Sequence, residues 1–105
     1  MLGKLKDFVG KTTELSLYRV TIFSDEMGLR AVKMVCTHQF CGLNRSSNGF
    51  SCPCHGSKFS NSGEVVRGPA KRALSHLKLG VTEDLELQLL PRERVEMSWR
   101  LPFSN

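Results

Sequence analysis

Apolar residues recur at every second position in three stretches of the chain. From Ser16, SLYRVTIF alternates and is rich in β-branched and aromatic residues, so it predicts a strand. The turn SDEMG, ending at Gly28, leads to LRAVKMV over residues 29–35. There Leu29, Ala31, Lys33 and Val35 share one face, with Arg30, Val32 and Met34 on the other, and the resulting hairpin delivers the chain to Cys36. ALSHLKLGV, residues 73–81, alternates again: Ala73, Ser75, Leu77, Leu79 and Val81 lie opposite Leu74, His76 and Lys78. LELQLL predicts a last strand that Pro91 stops, because proline cannot donate to a ladder. Residues 36–60, with Gly, Ser, Asn and Pro throughout, read as loop. NSGEVVRGPA, residues 61–70, reads as a turn, a short strand and a break at Gly68-Pro69. Residues 1–11 suit a short helical turn or a loose arm, and residues 92–105 take no assigned element or role. The outline is a single all-β domain. Its antiparallel base spans residues 12–35 and 71–91, a small loop-built subdomain spans 36–70, and a tail spans 92–105.

Composition narrows the class. With 105 residues the chain suits one domain with a modest core, for which extra staples are useful. No apolar run approaches ~18 residues, so no membrane segment is expected. The first residues, MLGKLKDFVG, lack the apolar core of a secretory signal, and the chain reads as soluble. The net charge of +5 suits an ordinary solvated surface, or steering toward an acidic partner. No basic stripe with interleaved aromatics is present, which argues against nucleic acid as a partner.

The chemistry is concentrated in VCTHQFCGLNRSSNGFSCPCHGSKF, which holds all four cysteines and two of the three histidines. It divides into Cys36-Thr37-His38-Gln39-Phe40-Cys41 and Cys52-Pro53-Cys54-His55-Gly56-Ser57. Each loop offers one Cys and one His at a spacing that can clasp a metal: Cys36 with His38, Cys52 with His55. Cys41 and Cys54 remain, one per loop, and a bond between them would tie the loops together. Three readings fit these residues: a structural zinc site of two Cys and two His, a pure disulfide framework, and an iron–sulfur cluster with mixed ligands.

CTH…C followed by CPCHGS resembles the two cluster-binding loops of Rieske [2Fe–2S] proteins. The likeness is greatest to the disulfide-containing type found in the soluble domain of the Rieske subunit of quinol-oxidising cytochrome bc complexes and their chloroplast counterparts. It continues through SNSGEVVRGPAKRAL. The resemblance implies a Rieske-like fold of antiparallel sheets and one [2Fe–2S] cluster per chain. It implies that Cys36 and Cys52 bind the inner iron, that His38 and His55 bind the outer iron, and that Cys41 and Cys54 form a disulfide. By the same likeness, Ser57 donates a hydrogen bond to the cluster or its bridging sulfide, and Gly68-Pro69-Ala70 covers the cluster from a third side.

The ligand set has an electrostatic meaning. Two ferric ions, two sulfides, two thiolates and two neutral imidazoles carry no net charge when oxidised, and one negative charge when reduced. Four thiolates would add two more negative charges, so the mixed set takes up an electron more easily. Rieske potentials accordingly lie at roughly −150 to +300 mV, against about −400 mV for plant-type ferredoxins. Reduction also weakens the iron's pull on the free ring N–H, so His38 and His55 release a proton more readily from the oxidised protein. The potential is then expected to fall as pH rises. His76 reads as a surface residue beside Lys78. With one spare histidine and so short a chain, no second, mononuclear iron of the kind used by oxygenases is expected.

Three positions depart from the quinol-oxidising pattern. Gln39 replaces a Leu of the apolar docking tip, Phe40 replaces a Gly, and Phe59 replaces a Tyr that donates to a cluster-ligand sulfur. The loop between His38 and Cys52 is also shorter. These departures favour a soluble, ferredoxin-like one-electron carrier between redox proteins, without catalytic residues and with a potential lowered at Phe59. The alternative is the soluble head of a quinol-oxidising membrane complex, where quinol would be met only within that complex. From a different class, a redox-silent zinc or disulfide module for binding also fits. A free-standing carrier would be cytoplasmic; a processed head would face the periplasm or another oxidising side.

Overall fold

The computed structural model describes residues 1–38 and 40–103, so the docking role considered for Gln39 lies outside the described residues. The chain first lays down β1 (Gly3–Lys4), β2 (Thr13–Leu15), β3 (Val20–Asp25) and β4 (Gly28–Lys33). It crosses into a second sheet of β5 (Asn44–Ser46), β6 (Gly49–Ser51), β7 (Lys58–Ser60) and β8 (Val65–Arg67), then returns with β9 (His76–Val81) and β10 (Glu86–Val95). The six-stranded sheet has the order β1-β10-β9-β4-β3-β2, and the four-stranded sheet is the meander β5-β6-β7-β8. Every named pairing is antiparallel, as the alternation predicts.

The large sheet is covered on both faces, which explains why β3 buries four residues in succession. Val20 and Ile22 face one core with Leu29, Ala31, Leu77, Leu79 and Leu87. Phe23, Val32 and Met34 face a second core shared with Leu74 and with Cys36, Phe50, Cys52 and Phe59 of the small subdomain. Successive strand residues point to opposite faces, so one strand feeds both cores. The seam is also tied by polar contacts. The Arg30 guanidinium lies 4.1 Å from the Phe23 ring centroid and donates to the Asn61 carbonyl at 2.9 Å, while Arg45 approaches the same ring at 5.3 Å.

Several local expectations are corrected. Residues Ser16–Tyr18 form a 3-10 turn, and the strand begins only at Val20, after Arg19 takes a left-handed backbone with φ 54°. The alternating pattern there overran a turn, leaving Leu17 and Tyr18 exposed. Pro91 does not stop the last strand. The register steps from Leu90 opposite Lys78 to Arg94 opposite Leu77, so Pro91 sits in a bulge where no N–H is needed. Three short strands, β5 to β7, occupy the window read as loop; at three residues each they are too short to show a period. His76 is not a surface residue. It is 3% exposed, because the face it shares with Val32 is covered by the small subdomain.

The ends of the chain are docked. Leu5 and Phe8 are buried, and the Leu2 N–H donates to the Leu87 carbonyl at 2.8 Å. Leu101 pairs with Leu29 through two backbone bonds, and Trp99, Leu101 and Phe103 pack on the first core. This tail lies so close to Gly28 that a β-carbon there would stand 2.1 Å from the Leu101 oxygen. Among the described residues no helix is long and apolar enough to cross a membrane.

Candidate functional site

Two loops, one between β4 and β5 and one between β6 and β7, share the same internal closure. In residues 36–41 the Cys36 N–H donates to the Cys41 carbonyl at 2.7 Å, and the Phe40 N–H donates back to the Cys36 carbonyl at 2.8 Å. In residues 52–57 the Cys52 N–H donates to the Ser57 carbonyl at 2.8 Å, and the Gly56 N–H donates back to the Cys52 carbonyl at 3.0 Å. In each, the residue four places after the leading cysteine is left-handed: Gly56 with φ 83° and Phe40 with φ 59°. A bridge between Val35 and Gly42 pins the base of the first loop.

Matched closures present matched side chains. Cys36 and Cys52 are free and buried, and His38 and His55 are exposed, with ring centroids 5.0 Å apart at 83°. Cys41 and Cys54 are joined by a disulfide that links the loops, with Cα atoms 6.5 Å apart. The sulfurs of Cys41, Cys52 and Cys54 lie within 4.8 Å of one another. Two of these three are bonded to each other and cannot act as thiolates, so that trio is not itself a ligand set.

The surroundings of Cys52 suit a thiolate. Burial pushes its thiol up, but the backbone N–H groups of His55, Cys54 and Gly56 and the Cys36 thiol together hold it below the ordinary thiol range. Converging N–H donors on a sulfur are what a cluster-bound thiolate needs, so the residues present fit the group that the spacing suggests.

A third segment completes the ring. The peptide Gly68-Pro69 is cis, and Pro69 is exposed. The buried Ala70 N–H donates to Ser57 Oγ at 2.9 Å. Thr37 Oγ1 donates to the Arg72 carbonyl at 2.6 Å, and the Arg72 guanidinium reaches back to the Thr37 carbonyl at 3.5 Å. Three ties therefore run pairwise around the site: a disulfide between the loops, Ser57 to Ala70, and Thr37 to Arg72. The sequence reading missed Thr37 and Arg72, because no spacing pattern marks a contact made across 35 residues. Phe59, at 2% exposure, is inside the second core and has no hydroxyl to offer.

His76 stands apart from this ring. Burial, then the nearby Arg30 and Arg100, push its imidazole below the ordinary histidine range; a hydrogen bond with the Leu74 backbone acts the other way. Among the described residues its Nε2 finds no hydrogen-bond partner.

The chain matches the model of the Rieske [2Fe-2S] domain over residues 3–82. It is 44% identical over 69 residues to the cytochrome b6-f complex iron-sulfur subunit of Synechococcus elongatus, covering 64% of this chain and 38% of that protein. It is 49% identical over 61 residues to the subunit of the same name in Trichodesmium erythraeum, covering 56% of this chain and 32% of that one. The chain thus spans less than two fifths of the length of these relatives. Among solved structures it resembles the cyanobacterial plasma membrane Rieske protein PetC3 from Synechocystis PCC 6803. That likeness has a TM-score of 0.55 and 29% identity, covering 74% of this chain and 82% of that one. The domain match, these relatives and the paired Cys/His loops agree, and the chain belongs to the Rieske [2Fe-2S] domain family, with a Rieske-type [2Fe–2S] cluster as its cofactor.

Proposed function

We propose that this Rieske electron carrier works as a ferredoxin-like shuttle of single electrons between redox proteins, an acidic protein among them. Cys36 and Cys52 hold the inner iron and His38 and His55 the outer one. The observation that carries this reading is the pair of loops with identical closure. Each offers one buried thiol and one exposed imidazole, and the two rings stand 5.0 Å apart. The bound cluster supplies one-electron chemistry at a potential raised by its two neutral ligands.

The chain's own residues do the rest. The N–H groups of Cys54, His55 and Gly56 favour the ionised form of Cys52. Ser57 Oγ already accepts from Ala70, which orients the hydroxyl so that its single proton is free to donate toward the cluster. The exposed rings of His38 and His55 would give electrons a short exit from the bound cluster. The Cys41–Cys54 bridge ties the two loops to each other, and the Thr37–Arg72 pair ties the first loop to the third segment.

Phe59 supports the ferredoxin-like reading over quinol oxidation, since without a phenolic hydroxyl the site has one donor fewer to stabilise the added electron. The second reading, the head of a quinol-oxidising complex, is favoured by the similarity to cytochrome b6-f iron-sulfur subunits. The test is a redox titration of the reduced protein's electron paramagnetic resonance signal at several pH values. A low-average-g Rieske signal with a midpoint in the lower part of the family's range is expected, and it should rise in Phe59→Tyr. A high midpoint in the wild type would favour the second reading. Absence of any signal would leave a redox-silent zinc or disulfide module.

A further inference from the structure

The sulfurs of Cys41, Cys52 and Cys54 lie within 4.8 Å of one another, yet they are not a ligand set. Cys41 and Cys54 are bonded to each other and Cys52 is free, so the trio is a thiol beside a disulfide. Those are the parts that thiol–disulfide exchange requires: an attacking sulfur within reach of a bridge, and a second thiol able to leave it. Cys52 is 3% exposed, so dissolved thiols and oxidants meet it slowly, while the bridge is always at its side. Groups held together in this way react as one molecule, at effective concentrations that no dissolved thiol reaches. The Cys36 thiol is in hydrogen-bond contact with Cys52 but is not one of the trio, which leaves Cys52 as the attacking group.

The two sulfurs of the bridge are unequal targets. Attack on Cys54 would close a ring around Pro53 alone, and the fixed φ of proline restricts how its neighbours can meet the geometry a bridge demands. Attack on Cys41 forms a bridge that still joins the first loop to the second. It displaces Cys54, which is exposed, so the leaving thiolate is received by water rather than by the core. The loops stay tied on both sides of the step, and only the partner of Cys41 changes.

We infer that Cys52, Cys41 and Cys54 form an internal exchange relay that operates before the cluster is bound and after it is lost. The Cys52 thiolate attacks Cys41 Sγ, a Cys41–Cys52 bond forms, the Cys41–Cys54 bond breaks, and Cys54 departs as a thiolate. One disulfide and one thiolate stand on each side of the step, so no electron is gained or lost and no outside oxidant or reductant takes part. The inference rests on the proposed ligand set, in which Cys52 holds the inner iron. Iron and bridge then compete for one sulfur: Cys52 on iron cannot attack Cys41, and Cys52 in the bridge cannot hold iron. The bound cluster thus fixes the Cys41–Cys54 pairing, and its loss frees a thiol at exposed Cys54. Rebinding requires the reverse step, in which Cys54 attacks Cys41 and releases Cys52.

The test starts from the cluster-loaded protein, without air and with iodoacetamide present. An iron chelator strips the cluster from half of the sample. Labelled and bridged residues are then identified by tandem mass spectrometry of the unreduced digest. Without exchange, Cys54 stays in its bridge and takes no label. With exchange, the stripped sample should carry about tenfold or more label on Cys54 than the loaded one, together with a Cys41–Cys52 bridge. Diluting the protein should leave the labelling rate unchanged, because the step is internal. Cys36→Ser, purified without cluster, should keep the Cys54 label, and Cys52→Ser should lose it. The relay is overturned if Cys36 and Cys52 take the label while the Cys41–Cys54 bridge persists, if Cys52→Ser still labels at Cys54, or if the rate falls on dilution. It is equally overturned if every cysteine pairing appears together, which is the mark of an unfolded chain rather than of one attack. Cys52 labelled as fast in the loaded sample as in the stripped one refutes the ligand assignment, a failure distinct from that of the relay.

Discussion

His76 offers a test of how the two halves of the fold are joined. Its imidazole is 3% exposed, opposite Val32 and Val95 in the sheet, and its Cε1 would stand 3.4 Å from a β-carbon at Gly63. Two cations look toward it, Arg30 from β4 and Arg100 from the tail. Burial and these cations disfavour the imidazolium, so the folded-state pKa lies below the ordinary 6.5 of an unfolded histidine. The sign follows. The unfolded chain binds the extra proton first, so the contribution is fully present above about pH 6.5 and is lost as pH falls from there toward the folded-state pKa. One site cannot give a slope steeper than about 1.4 kcal/mol per pH unit. Between about pH 6.5 and about pH 5 that slope bounds the loss at about 2 kcal/mol. For a domain of this size that corresponds to roughly 10 °C in Tm. The assay compares Tm by circular dichroism for wild type and His76→Gln, at about pH 7.5 and about pH 5. Taking the difference between the two proteins cancels every other titrating group. The wild type should lose stability relative to the variant on acidification. A difference that does not change with pH would refute the assignment of a buried neutral imidazole.

Three further outcomes are expected. Gly49→Ala places a β-carbon 2.0 Å from the Phe59 oxygen at a backbone φ of 149°, so the variant should lose several kcal/mol and fail to retain the visible absorbance of the cluster. Ser57→Ala leaves the buried Ala70 N–H without an acceptor, a cost of about 1–3 kcal/mol, and should lower the reduction potential measured by film voltammetry. Replacing Cys41 and Cys54 together by Ser removes a closed loop with a sequence separation of 13, worth about 3 kcal/mol in the chain-entropy account, and thermal loss of the cluster should begin at lower temperature.

The legible parts of this protein were those encoded at short range. Alternation over residues 29–35 and 76–81 specified strands, because side chains repeat every second residue whatever lies around them. The loops at Cys36 and Cys52 were legible for a similar reason: a metal centre with a disulfide beside it demands particular residue types at short spacings. Pro91 misled because the rule that proline ends a strand holds for regular ladders, and the bulge between Leu90 and Arg94 is a property of the pairing with β9. Leu17 and Tyr18 misled because a pattern of apolar residues does not reveal whether a partner strand exists to cover them.

Which face of a strand is buried was decided only in three dimensions. His76 and Lys78 share a face in sequence, yet the small subdomain covers one and leaves the other half-buried. The latch between Thr37 and Arg72 and the capture of Ala70 by Ser57 join residues 35 and 13 positions apart, and they exist because three separately folded segments converge on one point. Phe40 stands where the resembled pattern has Gly, and the left-handed backbone it shares with Gly56 became visible only in the folded loop. By itself the sequence pointed to a Rieske-type [2Fe–2S] cluster, because closely spaced cysteines and histidines are a local feature of the chain. The tertiary structure decided burial and long-range hydrogen bonds, because each depends on which distant segments share a surface.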